Sequence, residues 1–316
     1  MDISVVVPLF NEDESLPELA EWIDKVMKTN KFHYEIIMVD DGSTDKSWAV
    51  IQQLKQKYPS IIGIKFRRNY GKSAALNVGF QNSKGEVVIT MDADLQDSPD
   101  EIPDLYDLIK NKNYDLVSGY KQKRYDPITK TIPTKLFNWA TRMVSGIRLH
   151  DFNCGLKAYK SAVIKTIEVY GEMHRYIPFL AKGAGFKKIT EKIVQHRARK
   201  YGYTKFGLER FVNGFLDLLS LSFIMKFGRK PMHFFGTMGF LSFFTGFGIA
   251  TYLIIDKLIK IAQNQPFRDV TNNPLFYLSL VAVIVGVQLF MAGFLGEMLA
   301  RNAPDKNNYI IEQTIP

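Results

Sequence analysis

Cysteine is nearly absent: Cys154 alone among 316 residues excludes any intramolecular disulfide. That fits a reducing compartment. Tryptophan is scarce too, three in all, and none follows Trp139. Most informative is where charge is missing. From Pro231 to Ile255, and again from Pro274 to Gly296, there is no Asp, Glu, Lys or Arg. Each run exceeds the roughly 20 apolar residues that cross a bilayer as helix. The alternative, two buried core helices, is weaker, because almost nothing follows that could bury them. A mean hydropathy of −0.09 therefore averages two populations, a soluble part and two expected spans. The start, MDISVVVP, has no basic flank and too short an apolar run for a signal peptide, so the soluble part and both termini are expected in the cytoplasm.

The net charge is +9, with basic residues crowded into 182–230, just ahead of the first span. Nucleic acid is one partner for such a surplus. Lys and Arg beside a span more commonly face anionic headgroups, so a membrane is expected and nucleic acid is not. Basic residues on the two sides of the spans nearly balance, which leaves orientation to the missing export signal. Ala292 and Gly296 form a small-xxx-small pair suited to helix packing.

Short runs of β-branched residues alternate with helical spacing through the first 120 residues. Strands are expected at Ile3 to Val7, closed by Pro8, then at Tyr34 to Val39, Ile61 to Phe66, Val87 to Ile89 and 114–119. Helices fall between them at Glu14 to Met27, from Ser43 and Thr44 as N-caps to about Tyr58, at Lys72 to Gln81 and over 101–111. A further strand is expected at Lys188 to Val194, and DFNCGLKAY at 151–159 reads as a connection leading to a helix. This order predicts a doubly wound, mainly parallel α/β sheet.

Ligands of such sheets lie outside the carboxyl ends of the strands. Three ends carry polar groups: Asn11 and Glu12, Asp40 and Asp41, Asp92 and Asp94. The plain alternative for Asp40 and Asp41 is that they only cap the next helix. Asp92 and Asp94 are two apart, so in extended chain both can face one ion, with Gln96 and Asp97 close behind. Oxygen ligands of this kind suit Mg²⁺ or Mn²⁺ shared with a substrate's phosphates. RRNYGKS at 67–73 contains GKS but has Phe66 where a Walker loop needs glycine, so a P-loop is excluded. Lys72 could still meet a diphosphate from a helix N-terminus, or be a solvated surface lysine. Arg197, Arg199 and Lys205 form a candidate anion clamp. Apolar residues dominate 206–227, as in helices lying along a bilayer.

Taken in order, VVVPLFNE at 5–12, VDDGSTD at 39–45, NYGKSAALNVGF at 69–80, MDADLQD at 91–97 and RKYGYTK at 199–205, followed by paired spans, resemble the polyisoprenyl-phosphate glycosyltransferases of glycosyltransferase family 2. The resemblance covers nearly the whole chain. It implies a GT-A domain over 1–200, juxtamembrane helices over 201–230, a transmembrane hairpin over 231–299 and a cytoplasmic tail over 300–316. It implies that Pro8, Asn11, Glu12, Asp40, Asp41, Lys72, Asp92 and Ala93 hold the nucleotide sugar, and that Asp92, Asp94 and Gln96 hold the metal. Arg199 and Lys205, with Asp92 and Asp94, would carry catalysis, and Lys135, Arg197, Arg199 and Lys205 would receive the acceptor phosphate. Thr204 stands where the family has serine and keeps the hydroxyl. Many relatives have an arginine soon after the fifth strand, where this chain has Tyr120, Lys121 and then Arg124. The implied reaction is inverting, metal-dependent transfer of a hexose, UDP-glucose first and GDP-mannose or a UDP-aminosugar second, to a polyprenyl phosphate at the inner membrane. A homo-oligomer and a flippase partner are compatible with it. A processive polysaccharide synthase is disfavoured because its QxxRW motif is missing. A silent membrane adaptor is disfavoured because the expected metal ligands are all retained.

Overall fold

The computed structural model describes residues 1–122, 138–197, 200, 218, 220, 222–224, 226–227 and 230–302. The chain forms two units, Met1–Leu219 and Ser220–Pro316.

In the first unit a seven-stranded sheet is built from β1 (Ile3–Leu9), β2 (Tyr34–Asp40), β3 (Ile61–Lys65), β4 (Val87–Thr90), β5 (Leu116–Tyr120), β6 (Lys157–Lys160) and β7 (Ile189–Ile193), in the order β3-β2-β1-β4-β6-β5-β7. Period-2 side-chain alternation sends β1 residues Ile3, Val5 and Val7 into one apolar layer and Val6 into the other. Ile36 and Met38 against Ile37 and Val39 do the same in β2, as do Val87 and Ile89 against Val88 in β4. A strand buried on both faces is an unbroken apolar run, and that is how these read. Helices α1 (Leu16–Thr29), α2 (Ser47–Lys57) and α4 (Ile102–Lys110) contribute to the first layer, α3 (Lys72–Asn82) to the second.

Three expectations need correction. First, β6 is an additional strand, antiparallel to both β4 and β5, in a sheet whose other pairs are parallel and which is mainly parallel as expected. The stretch expected only to connect thus supplies a central strand. Second, β1 runs through Pro8 to Leu9, with Pro8 opposite Val39 of β2. On its other side β4 pairs no further than Val6 with Thr90, so beyond that point a missing N–H costs no ladder bond there. Third, α2 starts at Ser47, and Ser43 and Thr44 are not its caps. They bond instead to Asn11 of the neighbouring strand end.

Within the second unit the helices Pro231–Ala262 and Pro274–Asn302 are both long and apolar enough to cross a membrane. Only 17% of the most apolar window of each is buried, so large side chains such as Phe240, Leu241, Phe244, Leu278 and Val281 face outward. That is unlike a pair of core helices. The helices meet where they are narrowest: a methyl built on Gly239 would lie 2.6 Å from the Gly286 carbonyl oxygen. Ser242 donates across the seam to the Ala282 carbonyl at 2.8 Å. Of the expected small pair, Gly296 faces Pro231, but Ala292 points outward and its place in the seam is taken by Gly293. Close backbone approach at small residues is the usual way apolar helices associate in lipid.

Candidate active site

β1 lies between β2 and β4, so the three polar strand ends are adjacent, at the point where the strand order reverses. That is the binding crevice of an open α/β sheet. Asn11 takes a left-handed φ of 54°. Its N–H donates to Ser43 Oγ at 2.9 Å and its Oδ1 accepts the Thr44 N–H at 2.8 Å. The Glu12 N–H donates to Ser47 Oγ at 2.9 Å. The β1 and β2 ends are thereby locked together before any ligand arrives.

Asp40 is fully buried and accepts the Ser43 N–H at 2.8 Å, a local turn bond and not a cap of α2, which starts only at Ser47. Asp41 reaches further, accepting the N–H groups of Tyr70 at 2.7 Å and Gly71 at 2.9 Å. It so fixes the loop into α3. Burial raises the Asp41 pKa, and those two N–H bonds oppose the rise. Gly42 has φ +73° and its Cα faces the backbone of Arg68, so a side chain there would meet both strain and overlap.

Lys72 is the first residue of α3, and its ammonium is paired with Asp92 Oδ1. Each side chain is about a third exposed, 31% and 32%. Burial would raise the Asp92 pKa, but Lys72, with Lys121 and Lys157 farther off, outweighs it and brings it down to about 2. Asp92 is thus an anion throughout the working range, facing cations from three elements. Behind it Gly155 lies so close that a Cβ would overlap the carboxylate. The Gly155 carbonyl is held by Thr90 Oγ1 at 2.8 Å. Lys157, the first residue of β6, is buried, its pKa is lowered by that burial, and its ammonium bonds the Cys154 carbonyl. A cavity of about 10 Å³, close to one water by this measure, is lined by Lys72, Asp92, Asn153, Gly155, Lys157 and His174.

Asp94 is buried and its Oδ1 accepts the Gln96 N–H at 3.2 Å across Leu95, whose φ is 59°. Asp97 has no exposed side-chain surface and pairs with Lys121 at 2.7 Å. Burial lowers the Lys121 pKa but the Asp97 charge more than reverses it, so the ammonium stays protonated. Among the described residues no three His, Cys, Asp or Glu converge on a metal position. The donors present are nevertheless all oxygen, and the Lys72 ammonium already stands in a cation's place at Asp92. This fits a hard divalent ion that takes its remaining ligands from phosphate and water.

Of the residues expected from sequence, Pro8, Asn11, Glu12, Asp40, Asp41, Lys72, Asp92, Ala93, Asp94 and Gln96 fall in loops and termini at the ends of β1, β2 and β4 or at the start of α3. Arg197 reaches this group through its main chain, its N–H donating to the Gln96 carbonyl at 2.9 Å, while its guanidinium lies over Trp22. Lys135, Arg199, Lys205 and most of 206–227 lie outside the described residues. Sequence reasoning missed Gly155, Lys157 and the Asp97–Lys121 pair. A four-residue strand, KAYK, shows too little alternation to be found by periodicity.

The glycosyl transferase family 2 profile matches residues 4–167. The dodecaprenyl-phosphate galacturonate synthase of Rhizobium johnstonii is 34% identical over 323 residues, covering 99% of this chain and 93% of that protein. An undecaprenyl-phosphate 4-deoxy-4-formamido-L-arabinose transferase of Pseudomonas savastanoi is 33% identical, covering 99% and 90%. Among solved structures, glucosyl-3-phosphoglycerate synthase of Mycobacterium tuberculosis with Mn²⁺, UDP-glucose and phosphoglyceric acid superposes with a TM-score of 0.54 at 18% identity, covering 71% of this chain and 79% of that one. Mannosyl-3-phosphoglycerate synthase of Rubrobacter xylanophilus gives 0.58 at 14% identity, covering 72% and 75%. These two likenesses bear on the fold alone, a GT-A sheet. Profile, full-length identity and fold agree: the chain belongs to glycosyl transferase family 2.

Proposed function

We propose that the chain transfers a sugar from a nucleotide sugar to the phosphate of a polyprenyl phosphate, with inversion at the anomeric carbon, at the cytoplasmic face of the inner membrane. The observation that carries this reading is the row of acid-bearing ends of β2, β1 and β4, closed by Lys72 against Asp92, in a chain that also has two bilayer-length helices. Two relatives matched along 99% of the chain are named for prenyl phosphates, which supports that acceptor class.

In this reading Pro8, Asn11, Glu12, Asp40 and Asp41 bind the nucleotide, and Lys72 moves from Asp92 to the donor diphosphate beside Ala93. Asp92, Asp94 and Gln96 hold Mg²⁺ or Mn²⁺, which when bound neutralises charge on the leaving diphosphate. Asp92 needs no deprotonation for that task. The acceptor phosphate monoester, with second pKa about 6, is largely dianionic at neutral pH, so its oxygen attacks without a strong general base. Arg199 and Lys205, with Lys135, receive that phosphate. UDP-glucose is the first donor to test. The galacturonate and 4-deoxy-4-formamido-L-arabinose named in the relatives favour their nucleotide-linked forms as a second set.

The test is transfer of radiolabelled sugar to undecaprenyl phosphate by the full chain in detergent, with a donor panel, Mn²⁺ or Mg²⁺, and EDTA controls. Metal-dependent label in the organic phase from one donor is the expected result. No label from any donor, with the protein folded and binding nucleotide, would sink the proposal.

A further inference from the structure

The chain leaving β7 is attached to the back of the acidic turn. His196 forms an antiparallel bridge with Asp97. The Arg197 N–H donates to the Gln96 carbonyl at 2.9 Å. Just before it, the Gln195 N–H reaches Glu101 Oε1 at 3.1 Å, and Lys192 is paired with Glu101 and, at 2.9 Å, with Asp104. The Arg197 side chain turns away from this line to α1. Its guanidinium lies 4.2 Å from the centre of the Trp22 ring, and the Trp22 indole N–H donates to Asp100 Oδ1 at 2.9 Å. Lys200 continues the attachment by pairing with Glu18 of α1 at 2.6 Å.

Three parts of the fold therefore meet at one residue: the turn that carries Asp92 and Asp94, the half-buried face of α1, and the start of the basic stretch. Sequence alone suggests that Arg197 is one more phosphate ligand. A guanidinium over an indole ring is held there by the ring's quadrupole. Its main chain, meanwhile, belongs to the acidic turn.

We propose that Arg197 is a positioning residue: lying over Trp22, it holds the segment Gln195 to Arg197 against the Gln96–Asp97 turn, so that donor binding at that turn and acceptor binding by the basic residues that follow in sequence are energetically coupled. This rests on the reading of the chain as a polyprenyl-phosphate glycosyltransferase. Coupling of this kind is reciprocal and ordinarily amounts to about 5-fold or more in affinity.

A double-mutant cycle distinguishes seating from direct phosphate contact. The full chain and its Trp22→Ala, Arg197→Ala and doubly substituted forms are compared for acceptor KM, donor KM and kcat with undecaprenyl phosphate and the accepted donor. Acceptor affinity is also measured with and without the nucleoside diphosphate. Each single change is expected to raise the acceptor KM about 5-fold and to abolish the effect of nucleotide on acceptor affinity and, by reciprocity, that of acceptor on nucleotide affinity. The double form should be no worse than either single. Trp22→Phe, which keeps a ring under the guanidinium, should stay near the unsubstituted chain. If Trp22→Ala does not fold, Trp22→Leu, which keeps an apolar side chain of intermediate size while removing the π face, takes its place. The proposal is overturned if the double form shows the product of the two single effects, or if Trp22→Ala is silent while Arg197→Ala raises the acceptor KM. Arg197 would then touch the lipid phosphate itself. A chain that transfers no sugar overturns the parent reading and this one with it; transfer with independent effects overturns this one alone.

Discussion

Gly155, just ahead of β6, and Asp92, just after β4, are in such close contact that the glycine has the carboxylate where its own side chain would be. The smallest residue in the chain is thus the wall that sets the angle of an acid. Gly155→Ala should force Asp92 to shift, and a displacement of about 1 Å at a reacting centre is worth roughly 100-fold in rate. Turnover should fall by about that factor. Nucleotide affinity measured by calorimetry, which under the proposed mechanism rests mainly on the β1 and β2 ends, should change little. Equal losses in both would show that Gly155 matters for folding and not for aim.

Asp94→Asn keeps shape and removes charge. Under the proposed mechanism it should abolish transfer while the circular dichroism spectrum stays that of the unsubstituted chain. Appreciable residual turnover would remove Asp94 from the metal set.

The Asp97–Lys121 pair is a stability element. Removing one partner of a buried ion pair leaves the other charge uncompensated, at a cost of about 3–5 kcal/mol. Asp97→Asn should therefore lower the thermal midpoint of the detergent-solubilised chain markedly. Adding Lys121→Met to it should restore much of the loss, because the stranded ammonium is gone. If the double form is as unstable as the single one, the pair contributes by geometry and not by charge.

Alkaline stability has an identifiable source in Tyr34. Burial and the hydrogen bond to Asp24 push its pKa up to about 12. The unfolded phenol ionises near 10. Between those values the folded state holds the extra proton, so this contribution is complete below pH 10 and is lost as pH rises toward 12. Tyr34→Phe should flatten the fall in stability across that window, as followed by chemical denaturation at stepped pH. An unchanged slope would place the alkaline loss elsewhere.

The parallel part of the sheet was readable because its strands are buried on both faces: ISVVVPL, YEIIMVD and VVIT admit few other structures. Their terminal acids were readable for the same reason, since a charge directly after a buried run has little room except at a strand end. What could not be read depends on contacts distant in sequence. Ser43 and Thr44 have the chemistry of N-caps, and only the neighbouring β1 end shows that Asn11 claims them. Lys121 reads as a departure from an arginine pattern, yet its partner is Asp97, on a different turn. Ala292 satisfies a packing pattern and faces outward, because the seam of the second unit runs through Gly286 and Gly293.

The direction of β6 has a consequence for how this site can diversify. Every other strand end at the crevice is the finish of a parallel strand, so altering it risks the register of the helix and strand that follow. β6 runs the other way, and its beginning, Lys157 opposite Thr90, is what reaches the crevice. Ahead of the buried segment Asp151 to Gly155, which Asp92 and the core pin in place, a change in the chain between β5 and β6 leaves the register of the parallel strands untouched. One wall of the crevice is therefore exchangeable while the nucleotide side stays fixed, a division of labour by which closely related sequences could keep one handle and change the sugar they carry.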